Sequence, residues 1–415
     1  MSLTAQPTLQ HERADILDIL RGFALLGVLL DNLYGFTGYG FFSPAQREAL
    51  STYYPDIALA LSEIAFIHGK FYSLFSILFG IGFSIILIRN EQRGINPLLI
   101  FYKRLGILAL IGLAHLLLLW EGDILLLYAV VGFSLPLFRK CTDKTVLIWA
   151  LALILSPILI DIVKVLLDVK PGAFLEVLAQ GIDSRNGLPT DESFSKYLYK
   201  EGSGWTEWRN WQQSGLYYRY AYIIESNRIP KVLGLFLLGF YIGRKMMYAN
   251  LHQHVELLIN IRKWGFIVGI PLSIGMAIFE IDGKAIPNPL GLIDTVLYAL
   301  SVVPLSLAIA ASICLYWLKT KGNTRWNKLA PVGRMALTNY LMQTGFGILI
   351  FYGVGFGFGG NIGPTFYFPI GLGIYVFQIL YSNWWFKYFH FGPMEWIWRQ
   401  LTYGKTLRLR KNHKT

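Results

Sequence analysis

The chain has 415 residues, of which 54% are hydrophobic and 15% are charged. A soluble domain carries about 25% charged residues, so this composition excludes a soluble, disordered or coiled-coil protein and indicates a membrane protein. The net charge of +12 does not indicate nucleic-acid binding, because the positive residues lie in short loops between apolar runs. The two cysteines, Cys141 and Cys314, form no disulfide framework and no zinc-ligand spacing, so no metal site is predicted.

Apolar runs recur along the whole chain, and a spanning helix needs about 20 mostly apolar residues. Ten runs are candidates: 17–35, 71–89, 104–120, 123–139, 145–167, 230–248, 264–281, 290–318, 335–356 and 366–389. The sequence therefore predicts an all-α, polytopic transmembrane helix bundle of about ten spans. Gly239 and Gly243, four residues apart, predict close helix packing. The first 15 residues are polar and lack the apolar run of a signal peptide, so we expect the amino terminus to be retained.

Lys and Arg are distributed unequally between the loops. Loops of one parity hold sixteen: Arg89, Arg93, Lys103, Arg104, Arg139, Lys140, Lys144, Arg244, Lys245, Arg262, Lys263, Lys319, Lys321, Arg325, Lys328 and Arg334. The short loops of the other parity hold three: Arg47, Lys70 and Lys284. Cytoplasmic loops are the richer in Lys and Arg. The sequence thus predicts a multi-pass protein of the cell membrane with both termini cytoplasmic.

The predicted spans divide the chain into four regions. Residues 1–167 and 230–389 are two five-span halves, 168–229 is an extracytoplasmic insert, and 390–415 is a cytoplasmic amphipathic helix with a basic tail. Within the insert, three tryptophans recur at three-residue intervals: Trp205, Trp208 and Trp211. This spacing predicts a helix with an aromatic stripe. Such a helix rests on the outer leaflet or forms a lid over a site, and the sequence leaves both alternatives open.

Ionisable side chains inside an apolar bundle are costly, so each is a functional candidate by default. The predicted outer half gathers carboxylates and histidines that are suited to acid–base catalysis, namely Asp31, His68, His115 and Asp123. The predicted inner mouth gathers residues that are suited to phosphates or anionic lipid, namely Arg21, Lys103, Arg104, Arg334 and Asn339. Plain positive-inside topology also accounts for the inner group, and a structural hydrogen bond between helices also accounts for His115.

Five motifs follow one another along nearly the whole chain. They are Arg13–Gly27, Lys70–Gly80, Gly112–Leu125, Gly333–Leu341 and Gly392–Tyr403. In this order they resemble the motifs of the YeiB family, bacterial integral membrane proteins of unknown function. The resemblance implies a multi-pass protein of the bacterial cytoplasmic membrane, and it does not imply a reaction.

The opening motif also resembles, more weakly, that of transmembrane acyltransferases such as heparan glucosaminide acetyltransferase. The shared part is Arg21-Gly22, an apolar run, and Asn32. The resemblance implies that cytoplasmic acyl-CoA is the co-substrate and that the acceptor is a sugar or is lipid-linked. Many sugar acyltransferases of the inner membrane carry a histidine where this chain has Asn32, so we look to His115 for the base.

The leading hypothesis is therefore a membrane acyltransferase. The phosphates of acyl-CoA bind the cations of the inner mouth, and His115, oriented by Asp123 or Asp31, removes a proton from the acceptor. One alternative is a transporter or flippase of a small anionic or lipid-linked solute. Another is a non-catalytic membrane partner of a second enzyme. Membrane lipid is an expected partner in each case, and homo-oligomer formation stays open.

The unequal charge of the loops makes the orientation testable. In a variant without Cys141 and Cys314, a cysteine placed at Asn186 is expected to react with a membrane-impermeant thiol reagent added from outside. A cysteine placed at Lys321 is expected to react only after the membrane is opened. The opposite labelling pattern would contradict the predicted orientation.

Overall fold

The computed structural model describes residues 15–411 except 93, 95, 201–203, 281–285, 321, 323 and 324. These residues form seventeen α-helices, four short 3₁₀ helices and no β-strand. The α-helices are α1 (Asp15–Phe36), α2 (Pro44–Glu48), α3 (Tyr53–Phe66), α4 (Lys70–Gln92), α5 (Pro97–Leu118), α6 (Leu125–Gly132), α7 (Asp143–Leu167), α8 (Ala173–Asn186), α9 (Phe194–Tyr199), α10 (Trp205–Glu225), α11 (Arg228–Arg244), α12 (Val255–Glu280), α13 (Gly291–Lys319), α14 (Ala330–Arg334), α15 (Ala336–Phe351), α16 (Pro364–Tyr388) and α17 (Pro393–Tyr403). Predictions that involve Arg13, Arg93, Lys284, Lys321 or the two chain ends lie outside the described residues.

The predicted all-α bundle is confirmed. Each of the ten apolar runs falls on a helix: α1, α4, α5, α6, α7, α11, α12, α13, α15 or α16. Six helical stretches of the described chain are long and apolar enough to cross a membrane: Tyr53–Gln92, Pro97–Leu118, Asp143–Leu167, Leu251–Phe279, Gly291–Lys319 and Pro364–Tyr388. Two more, Leu125–Phe138 and Ala336–Phe351, are apolar but shorter. The chain is a multi-pass membrane protein, while the count of ten spans and their orientation stay predictions.

Helix α1 lies at the centre of the bundle. It contacts α4, α14, α15 and α16. Three of its leucines, Leu25, Leu29 and Leu33, are at most 1% exposed. The division into halves at 167 and 230 stays a prediction, and α1 packs across that boundary because its partners α14 to α16 belong to the second half.

Glycines bring α4 and α11 unusually close together. A Cβ built at Gly80 would lie 2.0 Å from the backbone oxygen of Phe236, and one built at Gly239 would lie 2.0 Å from that of Ile77. Only residues without a side chain allow two helix backbones to approach this closely. The close packing predicted at Gly239 and Gly243 is therefore confirmed, and it fixes α11 against the helix that lines the cavity described below.

The chain segment between α1 and α4 contains a helix, α3, that lies outside the ten predicted apolar runs. Helix α3 has 14 residues, too few for a span, and it packs against α12 and α16. Its carboxylate Asp56 is completely buried and accepts hydrogen bonds from the hydroxyl of Thr52 at 2.6 Å and the backbone N–H of Thr365 at 2.8 Å. These bonds hold α3 against the start of α16.

The insert forms a helical cap over the end of α5. The predicted tryptophan helix is α10, but its stripe is not uniform, because Trp205 is 69% exposed and Trp211 only 5%. Trp211 packs edge-on against Phe41 and Phe194. The amide of Gln212 donates to the backbone oxygen of Leu119 at 3.0 Å. Helix α10 thus covers the loop that follows α5.

The glycine contact between α4 and α11 predicts a large difference between two nearby substitutions. Gly80→Ala should destabilise the protein by about 1–3 kcal/mol, because its methyl group collides with the backbone of α11. Gly82→Ala, on the same helix, meets nothing within 4 Å and should be neutral or slightly stabilising, because Ala favours a helix. Thermal unfolding in detergent measures both. Equal melting temperatures would contradict the close contact.

Candidate functional site

A cavity of about 340 Å³ opens at the end of the bundle where α1, α5 and α15 begin and α14 ends. Most of its walls are apolar, built by leucines, isoleucines and phenylalanines of α1, α4, α5 and α15. At the mouth its polar lining is dominated by arginines: Arg21, Arg89, Arg104, Arg334 and Arg399. Two acidic residues, Asp18 and Glu395, accompany them among the described lining residues. A positively charged mouth and an apolar interior fit an anionic molecule with a long apolar arm.

Five different helices, α1, α4, α5, α14 and α17, each contribute one arginine to this mouth. Arg21 donates to Asp18 at 2.7 Å. The guanidinium of Arg104 lies 4.3 Å from the ring centre of Trp398, and that of Arg334 lies 4.1 Å from the ring centre of Phe386. Aromatic faces orient an arginine, and the N–H groups at the edge of a guanidinium are the donors that phosphate oxygens accept from.

Helix α17 closes one side of the mouth. Its carboxylate Glu395 accepts hydrogen bonds from the backbone N–H of Leu337 at 2.7 Å and the hydroxyl of Thr338 at 2.6 Å. It therefore caps the start of α15. Burial raises the pKa of the Glu395 carboxyl, although these hydrogen bonds oppose the shift. The indole of Trp398 donates to the backbone oxygen of Arg104 at 2.9 Å, which ties α17 to α5.

The lining residues form helical stripes that continue past the cavity. On α1 they are Leu17, Arg21, Leu25 and Val28, and the next positions on that face are Asp31 and Asn32. On α4 they are Arg89, Ile86, Gly82, Phe79, Phe75 and Tyr72, and four residues before Tyr72 lies His68. Ten residues separate Arg21 from Asp31, which is about 15 Å along the helix axis. The two stripes thus run from the arginines towards Asp31 and towards His68 in the turn before α4, and neither of these residues lines the cavity itself.

Asp31 and His68 form an accessible pair at the far end of these two stripes. Nδ1 of His68 lies 2.9 Å from Oδ1 of Asp31. The side chain of His68 is 27% exposed and that of Asp31 is 23% exposed. A carboxylate at Nδ1 orients the ring and favours the tautomer that carries its proton on Nδ1. This geometry fits a general base that an outside molecule can reach.

His115 and Asp123 form a second pair, and this one is closed. Nδ1 of His115 lies 2.8 Å from Asp123 and Nε2 lies 2.9 Å from the hydroxyl of Thr344. His115 and Thr344 are each 1% exposed and Asp123 is 3% exposed. The ring of Tyr340, which lines the cavity, packs against His115 with 5.3 Å between ring centres. The order carboxylate, imidazole, hydroxyl is that of a catalytic triad, but both ring nitrogens are occupied and Tyr340 separates them from the cavity.

The remaining predicted residues lie at different distances from the cavity. Arg21, Arg104 and Arg334 line it, as the predicted donor site requires. Lys103 is exposed and does not line it. Asn339 is completely buried and donates to Val332 and Ser382, both at 3.1 Å, so its contacts join α15 to α14 and α16. The roles proposed for Lys103 and Asn339 stay predictions without support from their positions.

Several cavity residues were not among the sequence candidates. The sequence marks Arg89 only as part of the loop-charge asymmetry, and it assigns Arg399, on the predicted amphipathic helix α17, no role. A helical spacing of three and four residues connects Arg89 to Phe75 and Tyr72 along α4 and could have identified it. No local pattern singles out Thr344, which meets His115 from 229 residues away.

Comparison with known proteins gives the family. The chain is 31% identical to the uncharacterized protein YxaH of Bacillus subtilis (strain 168), with 96% of each chain covered. The chain belongs to the YeiB family. It is 28% identical to the uncharacterized protein YeiB of Escherichia coli (strain K12), over 94% of this chain and 96% of that one. It is 27% identical to an uncharacterized 39.9 kDa protein of Bacillus acidopullulyticus, over 96% of each chain.

Residues 242–405 match the family model described as a protein of unknown function (DUF418). This YeiB-family region contains α12 to α17, and therefore includes Arg334, Glu395 and Arg399 at the mouth of the cavity. No solved structure matches the chain. The resemblance stated from the five motifs is thus confirmed, and the relatives assign no reaction.

The buried chain from Asp123 through His115 to Thr344 predicts coupled losses of stability. His115→Gln and Thr344→Val should each cost about 1–3 kcal/mol, because each leaves a buried polar partner without its hydrogen bond. The double variant should cost less than the sum of the two, with a coupling of about 0.5–3 kcal/mol. Thermal unfolding of the four proteins measures this. Additive losses would show that the two side chains do not interact.

Proposed function

We propose that this YeiB-family protein is a membrane acyltransferase that moves an acyl group from cytoplasmic acyl-CoA to an acceptor on the opposite face. The observation that carries the proposal is a cavity with an arginine-lined mouth and an apolar interior, together with the partly exposed Asp31–His68 pair beyond the end of its lining stripes. Its volume lies in the range of small-molecule sites, about 300–1,000 Å³.

The mouth supports the donor side of this proposal. Acyl-CoA carries several phosphates next to a long, weakly polar arm that ends in the thioester. Arginines bind phosphates in a bidentate manner, so the five arginines suit the phosphates. The apolar walls between them and Tyr72 suit the arm and the acyl chain. The predicted cytoplasmic position of the mouth suits a donor that is made inside the cell.

The far end supports the acceptor side. With the Nδ1–H of His68 donating to Asp31, Nε2 removes the proton from the acceptor hydroxyl or amine. The acceptor oxygen or nitrogen forms a bond with the thioester carbonyl carbon, and the carbon–sulfur bond breaks. The proton on His68 then passes to the CoA thiolate, so that protons and electron pairs balance. In this proposal His115 and Asp123 do not contact the substrates. They hold Tyr340, which lines the cavity, in position.

A transporter or flippase of an anionic solute would use the same two ends as gates. The discriminating quantity is the fate of the thioester. An acyltransferase releases free CoA thiol when an acceptor is present, or when water takes the place of the acceptor. A transporter moves its solute unchanged and releases no thiol. Purified protein in proteoliposomes, supplied with acyl-CoA of several chain lengths on the cytoplasmic face, distinguishes the two.

The donor end predicts a matched pair of variants. Arg104→Gln should raise KM for acyl-CoA at least tenfold with little change in kcat, because it removes a phosphate contact that is equal in the ground and transition states. Lys103→Gln, one residue away but exposed and outside the cavity, should behave as the wild type. Initial rates of CoA thiol release measure both. Equal KM values for the two variants would contradict phosphate binding at the mouth.

The acceptor end predicts the opposite kinetic signature. His68→Gln should lower kcat by about 10²–10⁴-fold, since general base catalysis contributes that much, while acyl-CoA still binds with wild-type affinity. Asp31→Asn should give a smaller loss, because it only orients the ring. A folded His68→Gln variant with unchanged turnover would remove His68 from the mechanism. Solute uptake without any thiol release would favour transport.

A further inference from the structure

Two cations near the start of α11 lie next to the Asp31–His68 pair and were not among the candidates. Arg228 is 8% exposed. It donates one hydrogen bond, to the hydroxyl of Tyr222 at 2.9 Å, and its guanidinium lies 5.0 Å from the ring centre of Tyr72. One turn further, the ammonium of Lys231 lies 4.3 Å from the ring centre of Tyr298. Both cations thus rest on tyrosine faces.

Neither cation has a carboxylate within 4 Å in the part of the chain that the structure describes. Of the nearby carboxylates, Asp31 pairs with His68 and Asp161 with Lys164 at 2.9 Å, while Asp294 acts on Lys231 from beyond ion-pair distance. Asp161 also accepts from Asn227 at 2.7 Å. An arginine has five N–H donors, and a buried cation without an ion pair is costly. Cation–π contacts of about 0.5–2 kcal/mol offset only part of that cost.

The two cations flank the proposed acceptor end. Tyr72, beneath Arg228, lines the cavity. The ring of Tyr298, beneath Lys231, lies 6.1 Å from the ring of His68. Arg228 and Lys231 thus place two positive charges beside the tyrosines that border the cavity and His68, and an anion bound there would be stabilised.

We propose that Arg228 and Lys231 bind a phosphate group of the acceptor and hold its reactive hydroxyl or amine beside His68. Two cations on one helix face match the double charge of a phosphate better than the single charge of a carboxylate. The phosphate binding itself is independent of the reaction, whereas its assignment to the acceptor rests on the proposed function. The phosphate belongs either to a soluble phosphorylated molecule or to a lipid headgroup, and the experiment separates these sources.

The test measures binding without acyl-CoA, using the full chain in phosphatidylcholine nanodiscs. Because the arginine mouth also attracts phosphate, every protein carries Arg334→Gln. The first arm titrates glycerol 3-phosphate, with glycerol as the uncharged control. The second adds phosphatidic acid to the nanodiscs and measures its retention against phosphatidylcholine by native mass spectrometry. Arg228→Gln/Lys231→Gln is compared with Lys245→Gln, a cation beyond the other end of α11 that pairs with Asp143.

In at least one arm the double variant should bind the phosphate compound at least tenfold more weakly, whereas Lys245→Gln should match its parent. Added salt should weaken the binding further. Weaker glycerol 3-phosphate binding identifies a soluble ligand, and weaker phosphatidic acid retention identifies a lipid. If the double variant fails to fold, Arg228→Lys and Lys231→Gln singly give the same comparison, with Arg228→Lys expected to keep most of the affinity.

Equal binding by folded double variant and parent in both arms would overturn the proposal. So would a parent that prefers neither glycerol 3-phosphate to glycerol nor phosphatidic acid to phosphatidylcholine. The proposed function fails differently. If no acyl-CoA releases thiol but binding still depends on Arg228 and Lys231, the phosphate site stands and acyl transfer is rejected. If transfer occurs and the double variant leaves the acceptor KM unchanged, acyl transfer stands and the phosphate site is rejected.

Discussion

The positive charge gathered at one end of the cavity is the constraint on which the rest of the bundle depends. Five helices each bring one arginine to the same mouth, and these guanidinium groups repel one another. Partial removal from water adds to the cost unless carboxylates, aromatic faces or a bound anion offset it. Asp18 and Glu395 supply the carboxylates, and Trp398 supplies an aromatic face. The orientation of every helix around the cavity is therefore linked to the same electrostatic balance.

At the opposite end of the bundle, two histidines have their polar ring atoms stabilised in different ways. His115 is fully engaged, with a partner on each ring nitrogen, so it joins α5, the loop before α6, and α15. His68 contacts Asp31 through Nδ1, and its side chain is 27% exposed. The two histidines are equivalent in the sequence pattern, and only their surroundings separate a group that holds helices together from one that is open to reaction.

The architecture followed from the sequence because hydropathy and loop charge act locally. The apolar runs fall on helices, and the glycine pair at Gly239 and Gly243 marks a real close approach. Arg21, Arg104 and Arg334 do share one cavity. Other features depend on contacts between distant segments. Thr344 reaches His115 across the fold, and α3 is too short to register as a span although its buried Asp56 anchors it to α16. Arg228 lies at the start of α11, and nothing in the sequence shows that a basic residue at this position is buried.

The hydrogen bonds of α17 bear on how the chain is made. Glu395 holds the first turn of α15, and Trp398 holds α5, although both follow the last apolar run in the sequence. The ribosome makes every apolar run before it makes this short segment, because all of them precede α17 in the chain. Until α17 packs against α5 and α15, one wall of the arginine-lined mouth is missing. The cavity is thus complete only after a segment that follows the membrane helices has found its place on them.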